Sequence, residues 1–226
     1  MIEKIYKKQN LLDLPVIKNF SSDEFFINKS NKVSYNIIKL WPHQYQNTNF
    51  VSIYGPRKCG KTHLVNIWAK KNNALIFNSI SKKNFNQKYK INSFVFENVE
   101  FCSNWPEMLM FNFINDLKAS NGFLLITSNK RLDKFEWSLK DLISRFKSFT
   151  SIEIKKPNQN LLKKIMIKQF NDRQLSINIE VVEYILRRIR RSYKSVSDMV
   201  ELIDKFSLEE KSPLTIPLVK KALSNF

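Results

Sequence analysis

The chain has 226 residues, of which 43% are hydrophobic and 13% aromatic, and this composition excludes an intrinsically disordered protein. Its 38 Lys and Arg residues against 20 Asp and Glu residues give a formal net charge of +18, which favours polyanionic partners such as nucleic acid or acidic protein surfaces. Because most of the lysines are scattered singly, a general bias towards Lys explains the charge equally well.

Cysteine usage and hydropathy exclude four further classes of protein. Two cysteines, Cys59 and Cys102, are too few for a disulfide framework or a zinc knuckle and should stay reduced. Residues 1–10 are too polar for a signal peptide, and no apolar run approaches the ~20 residues that a membrane span needs. We therefore expect a soluble, cytoplasmic protein with no membrane partner.

Residues 1–17 form an N-terminal arm in which a glutamine precedes spaced leucines: Gln9, Leu11, Leu12 and Leu14. Pro15 argues against a helix through this point, so the arm should be extended. Such a peptide can dock into a hydrophobic pocket of another protein, or it can pack its leucines on its own domain. The pattern alone favours the second interpretation.

The next segments alternate between strand and helix patterns. A short apolar run at 25–27 precedes a predicted helix that ends at Pro42. Strands are then predicted at 50–53, 74–77, 93–100, 123–129 and 149–154, with helices from 61 to about 71, at 108–118 and at 139–146. Strands alternating with helices predict a three-layer α/β fold with a parallel sheet.

The segment after the first predicted strand matches the pattern Gly, four residues, Gly-Lys-Thr, in the strand–loop–helix context that this pattern requires. Main-chain N–H groups of such a loop point at an anion, and Gly60 allows close approach. Lys61 can reach the β- and γ-phosphates, and the Thr62 hydroxyl can bind Mg²⁺. The predicted nucleotide-phosphate site comprises Gly55, Pro56, Arg57, Lys58, Cys59, Gly60, Lys61, Thr62 and His63.

Everything after Pro157 has a helical pattern. Helices are expected around 161–170, 182–189, 196–206 and from Thr215 onwards, with Ser195 and Asp198 spaced as a capping box for the third of them. The predicted organisation is therefore an arm at 1–17, an α/β base at 18–156 and an α-helical lid at 157–226.

A phosphate loop, an acidic third strand, a polar tip on strand four and a helical lid resemble a P-loop ATPase of the AAA+ type. Residues 25–35 resemble the entry segment of DnaA-type initiators, and residues 143–146 resemble their box carrying an arginine finger. The tail at 214–223 and the segment at 110–115 are similar to the Hda proteins, the regulatory inactivators of DnaA. The chain also stops where a full initiator would add its DNA-binding domain.

The resemblance implies partners and a ligand. Hda proteins begin with a Gln-plus-leucine peptide that binds the DNA polymerase sliding clamp, so clamp binding becomes the favoured role for Gln9, Leu11, Leu12 and Leu14. The ligand implied is ADP or ATP with Mg²⁺, and the implied partners are the DnaA initiator and the clamp. DNA would be reached indirectly through the clamp. A direct role on DNA, as in an initiator or loader ATPase, and a homo-oligomer both stay open.

The resemblance also assigns roles to single residues. Glu97 would serve the metal together with Thr62, but Asn98 stands where an active site carries the acid that polarises the attacking water, so weak hydrolysis is expected. The alternative is that Glu100 or a shifted register supplies this acid. Asn129 would be the sensor on strand four, with Ser128 as the close alternative and a turn-forming role equally open.

Two basic residues complete the implied set. Arg145 would be an arginine finger acting in trans on the ATP of DnaA, or otherwise an ordinary surface residue. Lys194 would be the lid's sensor, although Lys lacks the bidentate fork of the usual Arg, and Arg191 is the other candidate.

Overall fold

The computed structural model describes residues 25–45, 48–77, 91–101 and 106–224. The strands are β1 (Phe50–Tyr54), β2 (Leu75–Phe77), β3 (Ser93–Phe96), β4 (Phe123–Ser128) and β5 (Thr150–Glu153). The helices are α1 (Lys32–Leu40), α2 (Lys61–Asn72), α3 (Glu107–Ala119), α4 (Lys140–Lys147), α5 (Gln159–Asn171), α6 (Ile179–Leu186), α7 (Tyr193–Glu210) and α8 (Ile216–Leu223). The predicted alternation is confirmed.

The five strands form one parallel sheet in the order β2-β3-β4-β1-β5. Strand β1 lies between β4 and β5, pairing Val51 with Leu125 and with Thr150. Strands β1, β3 and β4 are almost wholly buried because helices cover both faces, as all-parallel sheets require. The loop after β1 therefore lies at the carboxyl edge of the sheet, where ligands bind in open α/β folds.

Two hydrophobic clusters cover the two faces of the sheet. One packs α3 and α4 against β3 and β4. The other joins α1, α2 and β1 to the four lid helices in a single continuous cluster, so that Trp68 of α2 and Met199 of α7 belong to the same core. The lid is therefore attached to the base by buried apolar surface as well as by the chain.

Three local predictions are wrong. Strand β3 ends at Phe96, and a 3₁₀ turn (Val99–Phe101) occupies the rest of the predicted strand. Helix α6 ends at Leu186, before Ile189. The N-cap of α7 is Ser192, whose hydroxyl accepts a hydrogen bond from the Ser195 main-chain N–H, so Ser195 and Asp198 do not form the predicted capping box.

The described part of the chain contains no helix that could cross a membrane. Its helices do not reach the length and apolar character that crossing a bilayer requires.

A stacked pair of buried tryptophans offers a test of the core between α1 and α2. Trp68 is fully buried, stacks on Trp41 with ring centroids 4.6 Å apart, and donates its indole N–H to the Trp41 carbonyl oxygen at 3.2 Å. Trp68→Ala should lower the free energy of unfolding by about 3–5 kcal/mol because it leaves a cavity and an unpaired carbonyl. Urea titration measures this, with exposed Met108→Ala as the control, expected within about 0.5 kcal/mol of the wild type. Equal losses in both variants would contradict the assigned packing.

Candidate functional site

The loop that joins β1 to α2 approaches its neighbours too closely for larger residues. Gly60, the N-cap of α2, has φ 97°, and a Cβ there would lie 3.0 Å from Cε2 of Phe25. A Cβ on Gly55 would lie 2.7 Å from the Ile154 carbonyl oxygen. Both positions of the sequence motif that require glycine are therefore explained by geometry.

Lys61 places a positive charge inside this loop. Its side chain is buried, and Nζ donates hydrogen bonds to the carbonyl oxygens of Gly55 (2.9 Å) and Pro56 (3.2 Å). It forms no ion pair with another residue that the structure describes. A buried cation is costly unless an anion compensates it, so this loop is suited to an anionic ligand.

Thr62 and Glu97 bring two hard oxygen donors together. The Thr62 hydroxyl donates a hydrogen bond to Oε1 of Glu97, and Glu97 is held by its own main-chain N–H, which donates to the Phe77 carbonyl oxygen at 2.9 Å. Within the described ranges, no cluster of three or more His, Cys, Asp or Glu side chains could hold a metal by itself. Mg²⁺ commonly takes one or two carboxylates together with phosphate oxygens, so Thr62 and Glu97 fit that ion.

Two residues that follow Glu97, Asn98 and Glu100, determine whether a second carboxylate lies near the phosphate loop. Asn98 has a left-handed backbone (φ 55°), and its main-chain N–H donates to Oγ1 of Thr127 at 2.9 Å. Glu100, in the 3₁₀ turn that follows, lines the same cavity as Asn98, and its Oε2 is buried without a hydrogen-bond partner. The carboxylate that Asn98 lacks is therefore present nearby on Glu100.

A cavity of about 530 Å³ separates the base from the lid, within the usual range of small-molecule sites. The base contributes Phe25, Phe26, Asn31, the loop residues from Arg57 to His63, Asn98 and Glu100. The lid contributes one face of α5 and its C-terminal end (Ile165, Lys168, Gln169, Asp172 and Arg173) and three residues of α7 (Tyr193, Ser197 and Glu201). The spacing of the α5 group is that of a single helix face.

Ion pairs connect the loop to the lid at the cavity. Lys58 Nζ lies 3.1 Å from Oδ1 of Asp198 and 3.1 Å from Oε1 of Glu201, both on α7. Lys194 also binds Asp198, through Oδ2. Burial opposes ionisation of Asp198, but hydrogen bonds from Lys194 and Lys58 outweigh it and hold the pKa of this carboxyl below its ordinary value.

The structure groups most of the predicted nucleotide residues but not all of them. The seven residues from Arg57 to His63 line the cavity, whereas Gly55 and Pro56 lie behind it and support Lys61. Lys194 is exposed and outside the lining, although it shares Asp198 with Lys58. Asn129 is exposed and does not line the cavity.

Other predicted residues lie elsewhere. The hydroxyl of buried Ser128 donates to the Lys130 carbonyl oxygen at 2.6 Å. Arg145 lies on α4 and is partly exposed, with its guanidinium 5.8 Å from the centre of the Phe111 ring. Cys59 is buried, and burial raises the pKa of its thiol. Cys102 and the arm residues Gln9, Leu11, Leu12 and Leu14 lie outside the described residues.

Sequence reasoning missed the contribution of α5. Its apolar residues predicted a helix, but the polar residues at 168, 169 and 172 were given no role. These polar residues lie three and four positions apart, on the same helix face as the apolar residue at 165, and this spacing could have indicated a ligand-facing surface. Thr127, which fixes the backbone of Asn98, gave no signal because hydroxyl residues are ordinary in strands.

The comparisons with known proteins agree with this geometry. A family model described as the lid domain of Hda matches residues 160–223. The chromosomal replication initiator DnaA of Buchnera aphidicola subsp. Cinara cedri is 26% identical, over 97% of this chain and 56% of the relative. The chain spans about half the length of the DnaA relatives that it matches in sequence.

Two solved structures share the fold. Domain III of Thermotoga maritima DnaA superposes with a TM-score of 0.77 at 17% identity, covering 94% of this chain and 99% of that chain. AMPPCP-bound DnaA from Aquifex aeolicus gives a TM-score of 0.63 at 20% identity, covering 83% and 65%.

The parallel sheet, the loop after β1 and the helical lid define a P-loop NTPase fold of the AAA+ type, as the sequence predicted. Within that class, residues 160–223 match the Hda lid-domain model, and the chain is similar to DnaA proteins over nearly its whole length.

The shared carboxylate of Asp198 provides a test of the connection between base and lid. Because its pKa is lowered in the folded state, its stabilising effect is complete above the unfolded value of about 4 and is lost as pH falls through the lower folded value. Asp198→Asn should reduce the free energy of unfolding by about 0.5–1 kcal/mol at pH 7 and by less in 1 M salt, since both cations are partly exposed.

Urea titrations of both proteins at pH 7, and again near pH 3, measure this difference, which should close at the lower pH. Glu209→Gln on the same helix is the matched control, because Glu209 has only a 3.9 Å contact with Lys205 one turn away. A difference that persists unchanged at low pH would exclude the ionised carboxylate as its cause.

Proposed function

We propose that this protein binds an adenine nucleotide between base and lid, docks on the sliding clamp through residues 9–14, and directs Arg145 at ATP held by DnaA. Hydrolysis of DnaA-bound ATP would then be stimulated, and initiation of replication would be restrained. The working ligand is ADP or ATP with Mg²⁺, and the site of action is the cytoplasm.

The surroundings of the Arg145 side chain are the observation that carries this proposal. The guanidinium rests against the Phe111 ring, which supports it without neutralising it, and forms no ion pair with another described residue. It lies on α4, whereas the cavity is lined by the loop, α5 and α7. An arginine that is partly exposed and away from its own nucleotide site suits delivery to a neighbouring molecule's ATP.

The nucleotide site supports a structural role for the ligand. Lys61 offers a buried positive charge, Thr62 and Glu97 offer oxygen donors for Mg²⁺, and Asn98 supplies no carboxylate for water activation. A ligand that touches both the loop and α5 would fix the lid against the base. The AMPPCP-bound DnaA with the same fold agrees with an adenine nucleotide in this cavity.

A second candidate function is an initiator-like or loader-like ATPase that acts directly on DNA. The formal net charge of +18 favours it, as does the likeness to a structure of DnaA bound to AMPPCP and single-stranded DNA. In that case Glu100 would supply the acid that Asn98 lacks, and turnover would rise when DNA is added.

Lys61→Ala tests the nucleotide site. The wild type should bind ADP and show almost no basal ATPase activity, while Lys61→Ala should bind ADP about 10- to 100-fold more weakly because a charge-assisted contact is lost. Calorimetric titration and the ADP-dependent rise in melting temperature measure this. The control is Lys70→Ala, an exposed lysine on the same helix. Unchanged ADP retention and melting in Lys61→Ala would indicate a vestigial loop.

Arg145→Ala tests the role in trans. DnaA-ATP hydrolysis is measured with this protein, the clamp and DNA present, each omitted in turn. Arg145→Ala should abolish the stimulation while leaving ADP binding and clamp binding unchanged, whereas Lys147→Ala, exposed on the same helix, should behave as wild type.

A clamp pull-down tests the arm, because Ala at both Gln9 and Leu14 should abolish clamp binding without altering the melting temperature. If the Arg145→Ala variant stimulated DnaA-ATP hydrolysis fully, Arg145 would not be the arginine finger. If this protein itself hydrolysed ATP rapidly with only DNA added, the second candidate function would be favoured.

A further inference from the structure

The cavity contains polar groups that the protein itself does not satisfy. Among the residues that the structure describes, the buried side-chain oxygens without a hydrogen-bond partner are Oε2 of Glu100, Oδ1 of Asn115 and Oε1 of Gln169. Glu100 and Gln169 line the cavity, while Asn115 lies on α3 away from it. An unpaired buried acceptor costs about 1–3 kcal/mol, so a residue that lines a ligand cavity and carries one is suited to a ligand with a hydrogen-bond donor.

Gln169 belongs to the lid face that covers the cavity. It follows Ile165 by one helical turn on α5, and both side chains line the cavity. The rings of Phe25 and Phe26 line the same cavity from the base. Phe25 is held in place by stacking on Tyr35 at 5.6 Å and by an edge contact with His63 at 5.3 Å. Aromatic and aliphatic surfaces of this kind accommodate a flat heteroaromatic ring.

The backbone that carries Gln169 is fixed by the lid itself. The Gln169 carbonyl oxygen accepts a hydrogen bond from Nη1 of Arg173 at 2.8 Å, and Nε of Arg173 lies 3.1 Å from Oδ2 of Asp204 on α7. The other two charged residues on this face are also engaged, because Lys168 binds Asp172 at 2.8 Å. Gln169 is thus a residue of α5 that lines the cavity and whose buried amide oxygen has no hydrogen-bond partner.

We infer that Gln169 recognises the base of the bound nucleotide, with Oε1 accepting a hydrogen bond from the exocyclic amine of adenine. This inference rests on the proposed nucleotide site and deepens it by naming the residue that selects the base. Adenine carries an N–H₂ donor at C6, whereas guanine and hypoxanthine carry a carbonyl oxygen there, which would face Oε1 as a second acceptor. A site with a buried group that requires a donor rejects such analogues.

Binding of ADP and of inosine diphosphate (IDP) to the full chain tests the inference, because the two ligands differ only at C6 and N1 of the base. By calorimetric titration, the wild type should prefer ADP by about tenfold or more. Gln169→Leu should lose this preference, chiefly through weaker ADP binding. Its melting temperature without ligand should not fall, since an unpaired buried oxygen is removed.

Two further variants make the test specific. Gln169→Glu keeps acceptor oxygens at this position and should keep a preference for ADP over IDP, even if it binds both more weakly. Gln159→Leu makes the same chemical change at an exposed position on the same helix outside the cavity and should behave as wild type.

The outcomes separate this inference from the proposed function. Wild-type protein that binds no ADP would overturn both. Wild-type protein that binds ADP and IDP equally, or Gln169→Leu that retains the preference, would overturn only the role of Gln169. Titration with 2′-deoxy-ADP tests another donor, the ribose 2′-hydroxyl. If Gln169→Leu loses discrimination against the deoxy sugar but not against IDP, the glutamine contacts the sugar and the inference fails.

Discussion

The buried ammonium group of Lys61 is the charge on which the site depends. Two main-chain carbonyl oxygens of its own loop hold it, and the close approach of this loop to Ile154 and Phe25 requires glycine at 55 and 60. Carbonyl dipoles compensate a full charge only in part, and in a water-poor loop the remaining potential favours phosphate. The position of β1 between β4 and β5 sets this loop at the carboxyl edge of the sheet.

The lid completes the cavity, and two kinds of interaction hold it there. Apolar packing between α2, β1 and the lid helices supplies one continuous core, while Asp198 and Glu201 accept the ammonium group of Lys58 at the cavity itself. The apolar contact does not depend on ligand, but the charged contact involves the same loop that would bind phosphate. A nucleotide would therefore meet the base and the lid at residues that already contact each other.

The cavity suited to a nucleotide and the proposed finger, Arg145, lie on different parts of the molecule. The groups suited to holding a nucleotide surround the cavity, but Asn98 interrupts the acidic pair that hydrolysis usually needs. Arg145 lies on α4 over Phe111, where its charge is not matched by an acid within the described residues. This separation is consistent with a protein that holds its own nucleotide and acts on that of a neighbour.

The sequence alone determined the features that depend on local chemistry. The glycine pattern, the alternation of strands and helices and the change to an all-helical region after Pro157 predicted the class of fold and the position of Lys61 and Thr62, whereas Glu97 was assigned only through the family resemblance. These were readable because backbone conformation and burial leave a periodic trace along the chain.

Only the tertiary structure decided the order of the strands, the pairing of Asp198 with Lys58 and Lys194, and the presence of Glu100 and Gln169 in the cavity. The sequence spacing of Asp198 indicated a helix cap, because a capping residue and an ion-pair partner look alike until the neighbouring loop is in place. Contacts between residues 140 positions apart, such as Lys58 and Asp198, arise from packing of distant elements, and no local pattern records them.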